Sequence, residues 1–334
     1  MRTLIVVAGV AMATATMASA EIKVSGYGRF GLDYNDRNGH AINGISKTTL
    51  TTRLRMQIDA STVTDGGVTL GARFRFEAES RDNTPNTAVA NGPYMYARYG
   101  NLTVGVGNIL GAIDAMPGFK LPTASTGIGI DGAGFHDEVG NVAVNVPRQF
   151  SNWDAYSSTG AGANGIEVIY KAGAFAGHLS YSEDNGPRRV GRTAMYLAYT
   201  LGHWTAVLAG QASDTAGEDK TILAVMGKFG PIGVRVAYAD NEGIDKVGVY
   251  ADFDVGTASS IVLFATSEDA ADAGAIAQGR DNRDVTLGNK TGGEGESWGI
   301  HYSYDLGGGA SFEAGAVRSS NDQTQVQAGV YFKF

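Results

Sequence analysis

The feature that most constrains this chain is a period of two that runs along nearly its whole length. From Glu21 to Asp36, Ile22, Val24, Gly26, Gly28, Phe30, Leu32 and Tyr34 occupy one set of positions, and Lys23, Ser25, Tyr27, Arg29, Gly31 and Asp33 occupy the other. Such alternation builds a strand with one apolar and one polar face. Leu50, Leu54, Met56 and Ile58 alternate with Arg53, Arg55, Gln57 and Asp59, and Leu70, Phe74 and Phe76 alternate with Arg73, Arg75, Glu77 and Glu79. About sixteen segments of this kind can be followed to the last, Val326 to Phe334. Each is roughly ten residues long, the length with which a tilted strand crosses a bilayer.

The connections carry a second pattern. Tight links fall at 65–67, 100–101, 172–174, 201–203, 230–231, 256–257 and 306–309, and longer polar links at 35–46, 81–92, 109–165, 183–191, 214–220, 240–245, 266–296 and 319–324. One rim therefore has turns and the other has loops. The 48 glycines, about twice the usual share of ~7%, disfavour a helical fold. A soluble β-sandwich would have to bury Arg53, Arg55, Arg73 and Arg75 or expose Leu54, Phe74 and Phe76. A closed barrel with a watery lumen does neither, and closure leaves no backbone group unpaired in lipid. The expected fold is all-β, a 16-stranded antiparallel transmembrane barrel spanning residues 21–334.

Residues 1–20 read as a secretory signal peptide: Arg2, an apolar run from Leu4 to Met12, and the small-residue ending Ala18-Ser19-Ala20. Zero Cys excludes disulfides, thiolate chemistry and Cys-ligated metals, and a net charge of -8 argues against a general nucleic-acid partner. Residues 26–31 and 127–132 match a dinucleotide fingerprint in spelling, but neither joins a strand to an amphipathic helix. His40, His136, His178, His203 and His301 are scattered without metal-ligand spacing, and no Gly-x-Ser-x-Gly occurs, so no catalytic residue is expected.

Several stretches resemble the alphaproteobacterial general-diffusion porins: Glu21 to Gly31, the strand-turn-strand from Thr64 to Ala72, Tyr302 to Ala310, and the ending Val330-Tyr331-Phe332-Lys333-Phe334. The resemblance covers the ends of the chain in detail and the middle by pattern. It implies an outer-membrane homotrimer in contact with lipid and lipopolysaccharide, and a C-terminal Phe334 read by the barrel-assembly machinery. It also implies a third loop folded into the barrel to narrow the pore, here the longest link, Ile109 to Gly165.

That loop carries Asp114, Asp131, Asp137 and Glu138, with Lys120 and Arg148 its only cations. Strand alternation independently turns Arg29, Arg53, Arg55, Arg73 and Arg75 into the lumen. A basic wall facing an acidic loop would set a transverse field at the neck. The plainer reading is that the arginines solvate a polar lumen and pair with Glu77 and Glu79. Loop carboxylates are also hard ligands of the kind Ca²⁺ takes, although no EF-hand spacing is present; no other cofactor is expected. Aromatics such as Tyr99, Tyr199, Trp204, Phe229 and Trp298 near strand ends fit interfacial girdles. Small outward residues Gly26, Gly28, Ala314 and Ala316 mark a flat seam suited to a subunit interface. The expected function is passive diffusion of small hydrophilic solutes and ions. The alternatives are a substrate-selective channel and, from other classes, a non-conducting structural barrel or a barrel lipase.

Overall fold

Each alternating segment forms a strand that pairs antiparallel with its neighbours in the chain. The computed structural model describes residues 20–81, 84–123, 152–183, 189–279, 281–282, 294–320 and 322–334. The signal-peptide reading of residues 1–20 therefore lies outside the described residues up to 19. The strands are β1 (Glu21–Asn35), β2 (Thr48–Val63), β3 (Thr69–Arg81), β4 (Thr84–Ala90), β5 (Tyr94–Tyr99), β6 (Leu102–Gly107), β7 (Gly165–Ala172), β8 (Phe175–Glu183) and β9 (Gly191–Leu201). They continue as β10 (Trp204–Ser213), β11 (Lys220–Phe229), β12 (Ile232–Asp240), β13 (Asp245–Asp254), β14 (Ser259–Glu268), β15 (Gly295–Gly307), β16 (Ala310–Arg318) and β17 (Thr324–Lys333). Both β4 and β5 pair with β3, end to end, so the seventeen strands make sixteen staves.

Two expectations are corrected. The link at 81–92 is mostly strand β4, although Pro85 and Asn86 there favour a turn. The ladder with β3 jumps there from Glu79–Thr87 to Arg81–Thr84, and a proline without an N–H is tolerated at such an irregularity. The link at 266–296 contains a short helix, α1 (Ala273–Ala277), which begins where the Asp272 side chain accepts the Ala275 N–H at 2.7 Å. Ala271 and Ala275 pack there with Ile244, so three apolar residues hold the helix against the loop rim.

The sheet closes where β1 pairs with β17, and the Gly26 N–H donates to the Phe334 carbonyl at 2.9 Å. The turns on one rim use positive φ, as at Gly100 (53°) and Gly202 (61°), a backbone conformation that matches the twist of a tight hairpin. The outward face is apolar all round: Phe30, Leu32, Leu54, Leu208, Leu223, Val236 and Leu263 are exposed. So much exposed apolar surface on a folded chain needs lipid as its solvent. Outward aromatics gather at the two rims, with Tyr99, Tyr199, Trp204 and Phe229 near the turns and Tyr181, Tyr238 and Trp298 near the loops.

The seam differs from a flat patch. A side chain at Gly28 would fall inside the ring of Phe332, and one at Gly26 would meet the ring of Phe334, so each glycine is covered by a phenyl group from β17 or the residue after it. Ala314 and Ala316 remain small and half-exposed two strands away, level with Leu32 and Tyr34 of β1 across β17. Gly28→Val should therefore expel the Phe332 ring and destabilise the seam by about 1–3 kcal/mol. The variant is expected to lose its folded, fast-migrating form on gels at a lower temperature than the parent.

Candidate functional site

After β6 the chain turns into the barrel. Glu167, at an inward position of β7, accepts the backbone N–H groups of Leu110 (2.9 Å) and Gly111 (3.2 Å), and Ser180 on β8 accepts that of Ala112 (3.0 Å). His178 Nε2 lies 3.0 Å from the same Glu167 oxygen, and both side chains are sealed from solvent. Past this polar root, Ala112, Ile113, Met116 and Phe119 are buried against the inner wall. That wall is built of Ala194, Tyr196 and Ala198 on β9, Val207 and Ala209 on β10, Ile222 and Ala224 on β11, and Ala237 and Ala239 on β12. Burial of Ile113, Met116 and Phe119 contributes on the order of 2 kcal/mol each. Farther round the barrel, Leu121 packs with Val262, Phe264 and Val317.

The returning limb lies on the same side. The Asn152 carbonyl accepts from Gln211 Nε2 (2.9 Å) and Lys220 Nζ (2.5 Å), and the Trp153 ring meets Phe119 edge to face at 5.0 Å. The Asp154 carboxylate takes the Ser182 hydroxyl and lies 3.6 Å from Arg192, which also binds Glu218 at 2.7 Å. The two limbs touch where the Asp154 backbone crowds Gly111 (φ 76°), a contact that leaves no room for a side chain. Asn108 ties them at their base, its amide nitrogen donating to the Ser157 carbonyl at 3.0 Å and its oxygen accepting the Ser157 N–H at 3.0 Å.

The opposing wall carries the arginines, and the plainer reading of them is partly right. Arg53 binds Glu79, Arg55 Nε is 2.5 Å from Glu77, and Arg73 Nε is 2.7 Å from Asp59. Arg75 has neutral partners: it donates to Gln57 at 2.8 Å and to the Ser158 hydroxyl at 3.4 Å, and its guanidinium lies 4.4 Å from the ring centre of Tyr156. Tyr156 belongs to the loop, so the row and the loop meet here. Four guanidiniums are thus set against three carboxylates, and Arg75 carries the surplus. Arg29 faces Arg53 across β1 and β2 but is 3% exposed, so its charge is covered rather than presented to the lumen.

Of the loop acids, Asp114 is engaged within the loop by Lys120 at 2.9 Å and by the Trp153 indole N–H at 3.4 Å. Asp131, Asp137 and Glu138 lie outside the described residues, as does Arg148. Among the described residues no cluster of three His, Cys, Asp or Glu is close enough to hold a metal ion. Sequence reasoning missed Glu167, His178, Asp154 and Tyr156. Alternation does mark Glu167 and His178 as inward, within otherwise apolar or small-residue strands, and that signal was available. Glu167→Ala would strip the loop root of its acceptor, at about 1–3 kcal/mol for each N–H left unpaired. The loop of the purified, folded variant is expected to be cut by proteases several-fold faster than that of the parent, with the barrel strands still resistant.

The profile of the Gram-negative porin family matches residues 4–324. The chain is 33% identical over 163 residues to a porin of Fuscovulum blasticum, an alignment covering 48% of this chain and 51% of that protein, so about half of that relative's length is matched. It is 27% identical over 342 residues to a porin of Rhodobacter capsulatus, covering 94% of this chain and all of that one. Solved structures of engineered variants of the Rhodopseudomonas blastica porin share the fold, with TM-scores of 0.71 and 0.72 at 23% identity over 94% of this chain and 100% of theirs. With an apolar outer surface, a closed ring of sixteen staves and a family match over nearly its whole length, the chain belongs to the Gram-negative porins.

Proposed function

We propose that the protein is a passive, water-filled channel of the outer membrane for small hydrophilic solutes and ions, and that it performs no bond-making chemistry. The observation that supports this reading is the division of the inner wall. The loop covers β9–β12 with apolar contacts, while the arginine row of β2 and β3 faces the lumen on the other side. A neck formed between them selects by size and by the field of the row. Because the carboxylates Glu77, Glu79 and Asp59 offset three of the arginines, the field comes chiefly from Arg75. On this reading residues 1–20 export the chain, Phe334 serves in assembly, and the seam of β1, β16 and β17 lies within a homotrimer surrounded by lipid and lipopolysaccharide.

Single-channel recording in a planar bilayer tests the reading. Steps in groups of three with conductance proportional to salt are expected, and correctly folded protein that passes no current would overturn it. Under a salt gradient, Arg75→Gln should move the reversal potential toward cation preference, changing the permeability ratio by roughly two- to fivefold. Removing a whole pair, Arg55→Gln with Glu77→Gln, should leave the reversal potential almost where it was.

A further inference from the structure

On the turn side of the neck, three cations gather around one concavity. It holds about 440 Å³ and is lined by Arg73, Arg98 and Lys171 with Tyr96, Asn101 and Thr103, and no carboxylate is among its lining residues. The three cations come from different staves: Arg73 from β3, Arg98 from β5 and Lys171 from β7. Arg98 is held in place. Its guanidinium lies 5.3 Å from the ring centre of Tyr96, its Nε donates to the Thr103 hydroxyl at 3.3 Å, and the Tyr96 ring lies flat where Gly71 leaves room for it. Lys171 is exposed beside the turn, where its backbone N–H donates to the Asn101 carbonyl at 3.1 Å.

The wall farther round at this level is mixed in charge: Asp254, Asp305 and Lys333 line a second, hydroxyl-rich concavity at the turn-side ends of β13 to β17. An anion that has passed Arg75 reaches Arg73 two residues farther down β3, where Asp59 offsets the charge, and then Arg98 and Lys171, which carry the local positive field. A fixed guanidinium and a flexible ammonium over a polar pocket are suited to the oxygens of a phosphate or carboxylate group.

We infer that the concavity at Arg73, Arg98 and Lys171 is a transit site for small solutes carrying a phosphate or carboxylate group, placed between the neck and the turn-side mouth. The inference rests on the channel reading, and chloride conductance without added anion checks that reading separately. The test is chloride current through single channels titrated with inorganic phosphate, for the parent and for Arg98→Gln/Lys171→Gln, with Lys171→Gln alone as the milder variant.

The expected result is a saturable reduction of the parent's chloride current by phosphate. In the double variant the half-blocking concentration, read against each channel's own chloride current before phosphate is added, should rise by about tenfold or more, with an intermediate rise in the single variant. Parent channels that conduct chloride but show no saturable effect of phosphate would overturn the site and leave the channel standing. Equal block of parent and double variant would also overturn it, by placing the anion elsewhere in the lumen. Repeating the titration with acetate distinguishes the two anion classes: block by both supports a general oxyanion site, and block by phosphate alone narrows the inferred solute to phosphates.

Discussion

The bilayer interior offers no water to a backbone amide, and every other property of this structure depends on that fact. A strand can cross lipid only if both of its edges are paired, so the first stave must find the last, and β1 joins β17 along nine register positions. The glycines at the seam serve this closure. Gly26 and Gly28 let β17 and Phe334 lay their rings across β1, which replaces the missing side chains with aromatic cover at the junction. Closure also fixes which side chains can meet inside. Arg53, Arg55, Arg73 and Arg75 stand in one patch because β2 and β3 are locked in a single register by the ladder between them.

Inside the ring, the wall performs two different tasks. One part stays polar, and its charges are largely satisfied by neighbours on the adjoining strand, which keeps a dense row of guanidiniums from repelling itself apart. The other part is apolar and serves as a bed for the loop. A loop held only by exposed ion pairs would be weakly held, since such pairs contribute little in water. Here the loop has a buried polar root at Glu167 and a hydrophobic body from Ile113 to Phe119, so its position is set by packing before any charge acts.

The barrel was legible because alternation and turn spacing are local properties, and both survive in a single sequence. Strand β4 was not, since Thr84 to Asn86 carries turn-forming residues and becomes a strand only because β3 offers it a template. Helix α1 was hidden in the same way inside a polar link. The inward direction of the arginines followed from strand parity, but their partners did not. Parity says that Arg75 and Gln57 face the same way, whereas only the register between β2 and β3 says that they touch. The sequence offers Asp114 as a loop acid for that wall, and the partner it meets in the structure, Lys120, is one that spacing alone does not pick out. The loop's bed could have been read from β9 to β12, where Ala194, Ala198, Ala209, Ala224, Ala237 and Ala239 occupy inward positions that water alone would fill with polar groups.

Those alanines also act as a spacer gauge. Where Ala112 to Phe119 lie over those methyl groups, the chain comes nearer to the wall than it could over side chains as large as Tyr196 or Ile222, and the space so saved is left to the lumen opposite. Each larger residue introduced into the bed would lift the loop by roughly the length of the added carbons and take that width from the aperture. The calibre of the channel is thus written on the side of the barrel farthest from the arginines, in residues that never meet the solute.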